Sequence, residues 1–207
     1  MTKAKKEEAL RILEETYPEA KAELVFSNPY EMLVATILSA QCTDKQVNKV
    51  TPAVFERYPD PVSMAAAKEE DLYQMVKSCG FKSKARNIIA ACRKIRDEHD
   101  GKVPDNMEAL TALPGVGRKT ANVVLYNAFG IPAFAVDTHV FRVSNRIGLC
   151  KAETVEETER QMTKLIPRGK WGNAHHWLIW HGRRVCKAQR PLCEECSLKG
   201  ICESARK

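Results

Sequence analysis

The run Leu113-Pro114-Gly115-Val116-Gly117-Arg118-Lys119 sets a lysine directly behind a glycine-punctuated turn that opens into the apolar stretch Ala121 to Leu125. Glycine takes positive φ without a Cβ penalty, so a turn built on Gly115 and Gly117 can aim successive backbone N–H groups outward where a helix begins. Helix N-termini favour anions, and a nucleic-acid phosphate is the anion such a turn suits. Leu113 to Gly117 is then a phosphate clamp. Arg118 flanks it, and the Lys119 amine is the first group to suspect of chemistry on whatever the clamped backbone presents. Taken alone, the same residues also describe an ordinary interhelical turn followed by a surface lysine, the fate of most lysines. A dinucleotide site is a poor third option, because no strand pattern precedes the glycines and the third glycine of that fingerprint is missing.

A second chemical constellation lies near the C-terminus. Cys186, Cys193, Cys196 and Cys202 are spaced C-x6-C-x2-C-x5-C, within reach of one inorganic centre. Zinc sites usually bring two short Cys pairs or their His variants, and only one short pair is present, so the spacing favours a 4Fe-4S cluster over zinc. Four protein thiolates leave such a centre no open position for substrate, which makes it a staple for a short, thinly packed tail. The loop between the first two ligands carries Lys187 and Arg190, two cations placed to meet phosphates. Cys42, Cys79, Cys92 and Cys150 sit in apolar or helical context and read as buried small hydrophobes.

The elements that must position these groups read as helices throughout. Ala9, Leu10, Leu13 and Tyr17 give helical spacing up to Pro18, and Asn28-Pro29-Tyr30-Glu31 is a helix start with Glu at the capping-box position. The apolar run Met32 to Ala40 that follows predicts a helix buried on all sides, at the centre of a helical domain. It ends at the polar tip Ser39-Ala40-Gln41-Cys42-Thr43, where Gln41 is either a reader of bases or a cap. A further helix follows, which Pro52 should bend or interrupt. Helices over Asp71 to Lys77 and Ala85 to His99 flank the loop Gly80-Phe81-Lys82-Ser83-Lys84. There Phe81 reads slightly better as a core anchor than as a wedge in a base stack, with Lys84 as a phosphate contact. Asp105 and Glu108 form a capping box ahead of Leu113, so the glycine turn is a helix-hairpin-helix. Asp137 stands at the cap position of the helix after Val136, and Thr154 with Glu157 caps another. His139, His175 and His176 are core or surface groups. No strand alternation, repeat or linker is evident, and the fold class is all-α.

The chain has 207 residues, with Lys plus Arg exceeding Asp plus Glu by 33 to 26, a net charge of +7 that suits a polyanionic partner. Its length allows one large domain or two small ones. The N-terminus lacks an apolar signal region and no apolar run reaches membrane-spanning length, so a cytoplasmic protein without a membrane partner is expected.

Leu113 to Gly117 with Arg118-Lys119-Thr120-Ala121-Asn122, Val136-Asp137-Thr138-His139, the cysteine spacing, Leu38-Ser39-Ala40-Gln41 and His175-His176-Trp177-Leu178 together resemble the endonuclease III family of DNA glycosylases. The resemblance spans nearly the whole chain. It implies two lobes: a six-helix domain with the helix-hairpin-helix over 22–130, and a cluster domain assembled from 1–21 and 131–207, with a DNA-binding cleft between. It implies a bifunctional glycosylase and AP lyase that removes damaged, oxidised pyrimidines from duplex DNA and cleaves 3′ to the abasic site by β-elimination. Lys119 falls at the position of the amine nucleophile and Asp137 at that of the essential carboxylate. Gln41 matches the residue that fills the gap left in the helix, and Phe81 falls where a wedge, usually Leu, enters the stack.

The loop from Gly80 to Lys84 is one residue shorter than the family's usual pattern. The expected partner is double-stranded DNA bearing damaged bases or abasic sites. The protein is expected to act as a monomer, nucleoid-associated when bound. Two other readings are a monofunctional mismatch glycosylase, whose relatives replace the lysine found here at Lys119, and a non-catalytic helix-hairpin-helix module, against which Lys119 and Asp137 together speak.

Overall fold

The structure, a computed structural model, describes residues 1–205 and contains eleven α-helices and no strand among them. In chain order these are α1 (Lys3–Thr16), α2 (Pro29–Leu38), α3 (Asp44–Arg57), α4 (Pro61–Ala65), α5 (Glu69–Val76), α6 (Lys82–Glu98), α7 (Met107–Thr111), α8 (Arg118–Phe129), α9 (Thr138–Ile147), α10 (Val155–Leu165) and α11 (Trp171–Arg184). They fall into two compact units, Ala22–Ile131 and Met1–Lys21 with Pro132–Lys207.

The continuous unit is built around α2. Asn28 starts that helix by accepting the Glu31 N–H at 3.0 Å, Pro29 occupies its first turn, and every residue from Met32 to Leu38 is buried. Glu31 returns to the Ser27 N–H rather than to the cap residue, so the box closes one position early. Burying side chains such as Leu33, Ile37 and Leu38 contributes roughly 1.5–3 kcal/mol each, which is why an apolar helix takes the centre. α2 packs chiefly against α8, and α4 and α5 close on α6.

Two local expectations are corrected. α3 runs through Pro52 to Arg57, held by its buried face of Val47, Thr51 and Val54. The helix before the hairpin is capped by Asn106, whose Oδ1 accepts the Ala109 N–H at 2.9 Å, and not by Asp105. The two residues are adjacent and both suit a cap, so sequence spacing alone does not choose.

In the discontinuous unit, α1 and α9 pack on α11 over a core of Ala9, Leu13, Phe134, Val140, Val143, Met162, Trp177, Leu178 and Leu198. Thr154 caps α10 through the Glu157 N–H at 3.1 Å, while the Glu157 carboxylate turns to Arg160 and Gln161. The tail is tied down by its backbone: Glu203 and Ser204 donate to the carbonyls of Ile147 and Arg146, and the Glu203 side chain pairs with the Met1 ammonium. Gly148 ends α9 at φ +95, a left-handed conformation that favours glycine.

Candidate nucleic-acid interface and cluster site

The hairpin is held from behind by apolar side chains. Leu110, Leu113 and Val116 are buried, and the Val116 N–H donates to Leu113 O at 3.1 Å. Leu113 and Val116 are therefore anchors of the turn, with side chains facing the core and the Val116 amide donating within the turn. Gly115 adopts φ +76, and a Cβ there would lie 2.8 Å from Asn87 Cβ on α6, so both conformation and space demand glycine.

Gly117 differs from that expectation. It is extended, at φ −89 and ψ 175, and serves as the N-cap of α8 with no side-chain cap of its own. Nothing in the protein lies within 4 Å of a Cβ built on it, so what its bare Cα leaves open is room outside the protein. An N-terminus without a side-chain cap, fronted by open space, is where an anion can meet backbone N–H groups and the positive end of the helix dipole. Arg118 and Lys119 follow in the first turn of α8, both exposed.

Asp137 is the N-cap of α9, half-buried, with Oδ1 accepting the Val140 N–H at 2.7 Å. The cap uses one oxygen and leaves Oδ2 outside it. The segment Ala133 to Val136 leading to it is buried and is fixed by His175, whose Nδ1 stands 2.8 Å from Ala135 O. This supporting role of His175 lies in a contact forty residues distant in sequence, and no local signal marks it. His176 is buried beside it, the rings 5.0 Å apart, and burial first and His175 second push its pKa down to about 3.

Gln41 is exposed at the tip beyond α2 in the left-handed region, φ +54, which is uncommon for a residue with a side chain. Phe81 is 70% exposed, so the core-anchor reading is corrected: nothing apolar covers it. Lys84 is also corrected. Its ammonium is buried and donates to Leu38 O at 2.8 Å, Ala40 O at 2.5 Å and Cys79 O at 2.5 Å, and burial lowers its pKa, so it does not present a charge to phosphate.

The four C-terminal cysteines are brought together. Cys186, Cys193, Cys196 and Cys202 are all half-buried and line one cavity of about 190 Å³ along with Leu198, Ile147 and His181. Four thiols around one cavity are a donor set that a 4Fe-4S cluster takes. The Cys196 and Cys202 thiols are pushed up by burial first and neighbouring thiols second, a cost that a cationic core offsets.

Side chains from α9 and α11 secure this site. Arg146 reaches Cys186 Sγ at 3.8 Å, Lys187 O at 2.8 Å and Ala188 O at 3.0 Å, and Arg142 donates to Cys186 O at 3.1 Å. His181 links Tyr17 OH, 3.0 Å from Nδ1, to Cys196 Sγ, 3.6 Å from Nε2. Lys187 and Arg190 are exposed on the loop these arginines hold, with Arg190 at φ +50.

The chain matches the family model of the HhH-GPD superfamily base excision DNA repair protein over residues 34–168, and that of the iron-sulfur binding domain of endonuclease III over residues 186–202. Hairpin and fold thus define a helix-hairpin-helix protein of base excision repair. The chain is 53% identical over 201 residues to endonuclease III of Synechocystis sp., covering 96% of this chain and 92% of that protein. With endonuclease III of Escherichia coli it is 46% identical over 208 residues, covering 100% and 99%. A trapped endonuclease III–DNA covalent intermediate has the same fold at a TM-score of 0.96 and 46% identity, over 99% of this chain and 97% of that one. The chain belongs to the endonuclease III family, and its cofactor is a 4Fe-4S cluster.

Proposed function

We infer that this chain carries out base excision on DNA with two activities, N-glycosylase and AP lyase, on oxidised pyrimidines in duplex DNA. The observation that carries this reading is Lys119, an exposed amine in the first turn of α8, directly behind the bare Gly117 N-cap. The relative trapped as a covalent DNA intermediate supports it. With the DNA backbone docked on the hairpin and the target nucleotide extruded, Lys119 Nζ attacks C1′ as the bond to the base breaks. Positive charge develops at C1′, and the Asp137 carboxylate stabilises it.

The amine attacks only when neutral, so a proton leaves Nζ before or during the step. Opening of the sugar ring gives an imine between Nζ and C1′. The imine acidifies the 2′ hydrogen, its loss expels the 3′ phosphate, and hydrolysis then frees Lys119. A monofunctional glycosylase, activating water in place of an amine, would leave the strand intact.

We propose that Cys186, Cys193, Cys196 and Cys202 hold the cluster. Bound there, it would join the tail to the loop that carries Lys187 and Arg190, whose exposed cations suit phosphates; the hairpin and Arg118 suit them as well. Gln41 and Phe81, both exposed at loop tips, fill the gap and part the stack. The protein acts as a monomer in the cytoplasm. No helix among the described residues is long and apolar enough to cross a membrane.

The test is a panel of duplexes, each with one lesion, incubated with the protein and resolved on denaturing gels. Strand cleavage at thymine glycol and related oxidised pyrimidines is expected without added lyase or alkali. Base release that needs alkali to reveal a break would favour the monofunctional reading, and binding without release would favour the non-catalytic one.

A further inference from the structure

Lys84 is the buried lysine of α6, and its ammonium is held by backbone rather than by a carboxylate among the described residues. It faces three carbonyls, Leu38 and Ala40 from the end of α2 and Cys79 from the turn before Gly80. An ammonium has three N–H donors, and here each has an acceptor. Two of the acceptors belong to peptides that lead directly to exposed residues. Ala40 O is on the peptide that precedes Gln41, whose φ of +54 that peptide's orientation must sustain. Cys79 O lies one glycine before Phe81, and Gly80 takes φ +117 with Lys84 Nζ 3.4 Å from where its Cβ would be.

Burying an ammonium costs several kcal/mol unless hydrogen bonds replace its water. A chain that needed only a well-packed α6 would place an apolar residue there. The cost goes instead into joining two loop ends that contribute little to the core. A second link, Gln46 Nε2 to Ser78 Oγ at 2.8 Å, spans the same two segments at the surface.

We propose that Lys84 is a positioning residue for nucleotide extrusion: its ammonium ties the segment carrying Gln41 to the segment carrying Phe81, so that both enter the base stack as one unit. This rests on the reading of Gln41 and Phe81 as the inserted residues. Lys84 touches no substrate and acts through the loop geometry. A single-stranded oligonucleotide with one abasic site has no stack to part and no gap to fill, so it bypasses this step while still using the lyase chemistry.

The readout is the ratio of the single-turnover excision rate on a lesion duplex to the cleavage rate on that single strand, measured in the parent, Lys84→Met, Lys84→Arg, Gln41→Ala and Phe81→Ala. Arginine keeps the charge but cannot direct three donors from one nitrogen, so both Lys84 variants should lower the ratio by roughly tenfold to a hundredfold, the scale of a misplaced binding group. Adding Lys84→Arg to a chain that already carries Gln41→Ala and Phe81→Ala should then lower it by less than twofold more, because both segments that Lys84 holds have lost their inserted groups.

A parental ratio in the Lys84 variants beside a lowered one in Gln41→Ala overturns the proposal alone. Equal loss on both substrates, or failure of both Lys84 variants to fold by circular dichroism, assigns Lys84 to stability and overturns it as well. Parental ratios in both Gln41→Ala and Phe81→Ala overturn the reading beneath it.

Discussion

The carboxylate of Asp137 accepts the Val140 N–H at 2.7 Å, so the group proposed to stabilise charge at the sugar is also the cap of α9. The two roles are compatible. The cap fixes the side-chain rotamer through Oδ1, and a carboxylate is the better stabiliser for being held before the reaction begins.

Asp137→Asn separates those roles, because asparagine caps as well as aspartate and differs in charge. Thermal stability should stay within about 1 kcal/mol of the parent, with colour retained. Single-turnover excision should fall by about a hundredfold to a thousandfold. A variant that melts early or loses its iron would make Asp137 a structural cap, with the catalytic carboxylate elsewhere.

The two hairpin glycines should respond in opposite ways. Gly115→Ala forces a Cβ to within 2.8 Å of Asn87 at φ +76, and should destabilise the protein by about 1–3 kcal/mol in urea titrations. Gly117→Ala meets no protein atom and keeps an ordinary φ, so it should fold nearly normally and weaken binding to an uncleavable abasic duplex by about tenfold. Normal DNA affinity in Gly117→Ala would remove the phosphate from the N-terminus of α8.

Purified protein should be yellow-brown and carry about four irons per chain. Cys196→Ser should reduce iron content and loosen the tail first, seen as faster proteolysis after Cys186. A colourless, fully active protein with one zinc per chain would contradict the cluster assignment.

His176 sets an acid limit on stability. Its folded pKa is pushed down to about 3, below the ordinary histidine value, so the unfolded chain binds the proton the folded one refuses. Its contribution is complete above about pH 6.5 and is lost as pH falls toward 3, at about 1.4 kcal/mol per pH unit. Urea midpoints at pH 5 and pH 7 should therefore differ more in the parent than in His176→Gln. Equal differences would show that this histidine is not the sensor.

Much of this was legible in the sequence because it is encoded locally. Asn28 and Thr154 cap the helices they precede, α2 is buried as its unbroken apolar run requires, and the cysteine spacing is realised around one cavity. What was not legible depends on distant contacts. Lys84 reads as one more cation in a lysine-rich loop, and only the fold assembles Leu38, Ala40 and Cys79 around it. Phe81 looks like a core residue beside a glycine until no apolar neighbour arrives to cover it. His175 and His181 carry no local sign of the contacts they make, since their partners Ala135, Tyr17 and Cys196 lie far along the chain. Gly117 was expected at positive φ and is extended, because the α8 cap sets its conformation and the turn does not.

The identity of the nucleophile is tested most directly by borohydride trapping. An imine between Lys119 and C1′ is reduced to a stable amine, so protein and abasic DNA should run as one covalent species on a denaturing gel. Lys119→Gln should abolish that species and strand cleavage while still binding the uncleavable abasic duplex within a few-fold of the parent. Trapping and nicking at the parental rate in Lys119→Gln would contradict the mechanism and place the nucleophile elsewhere.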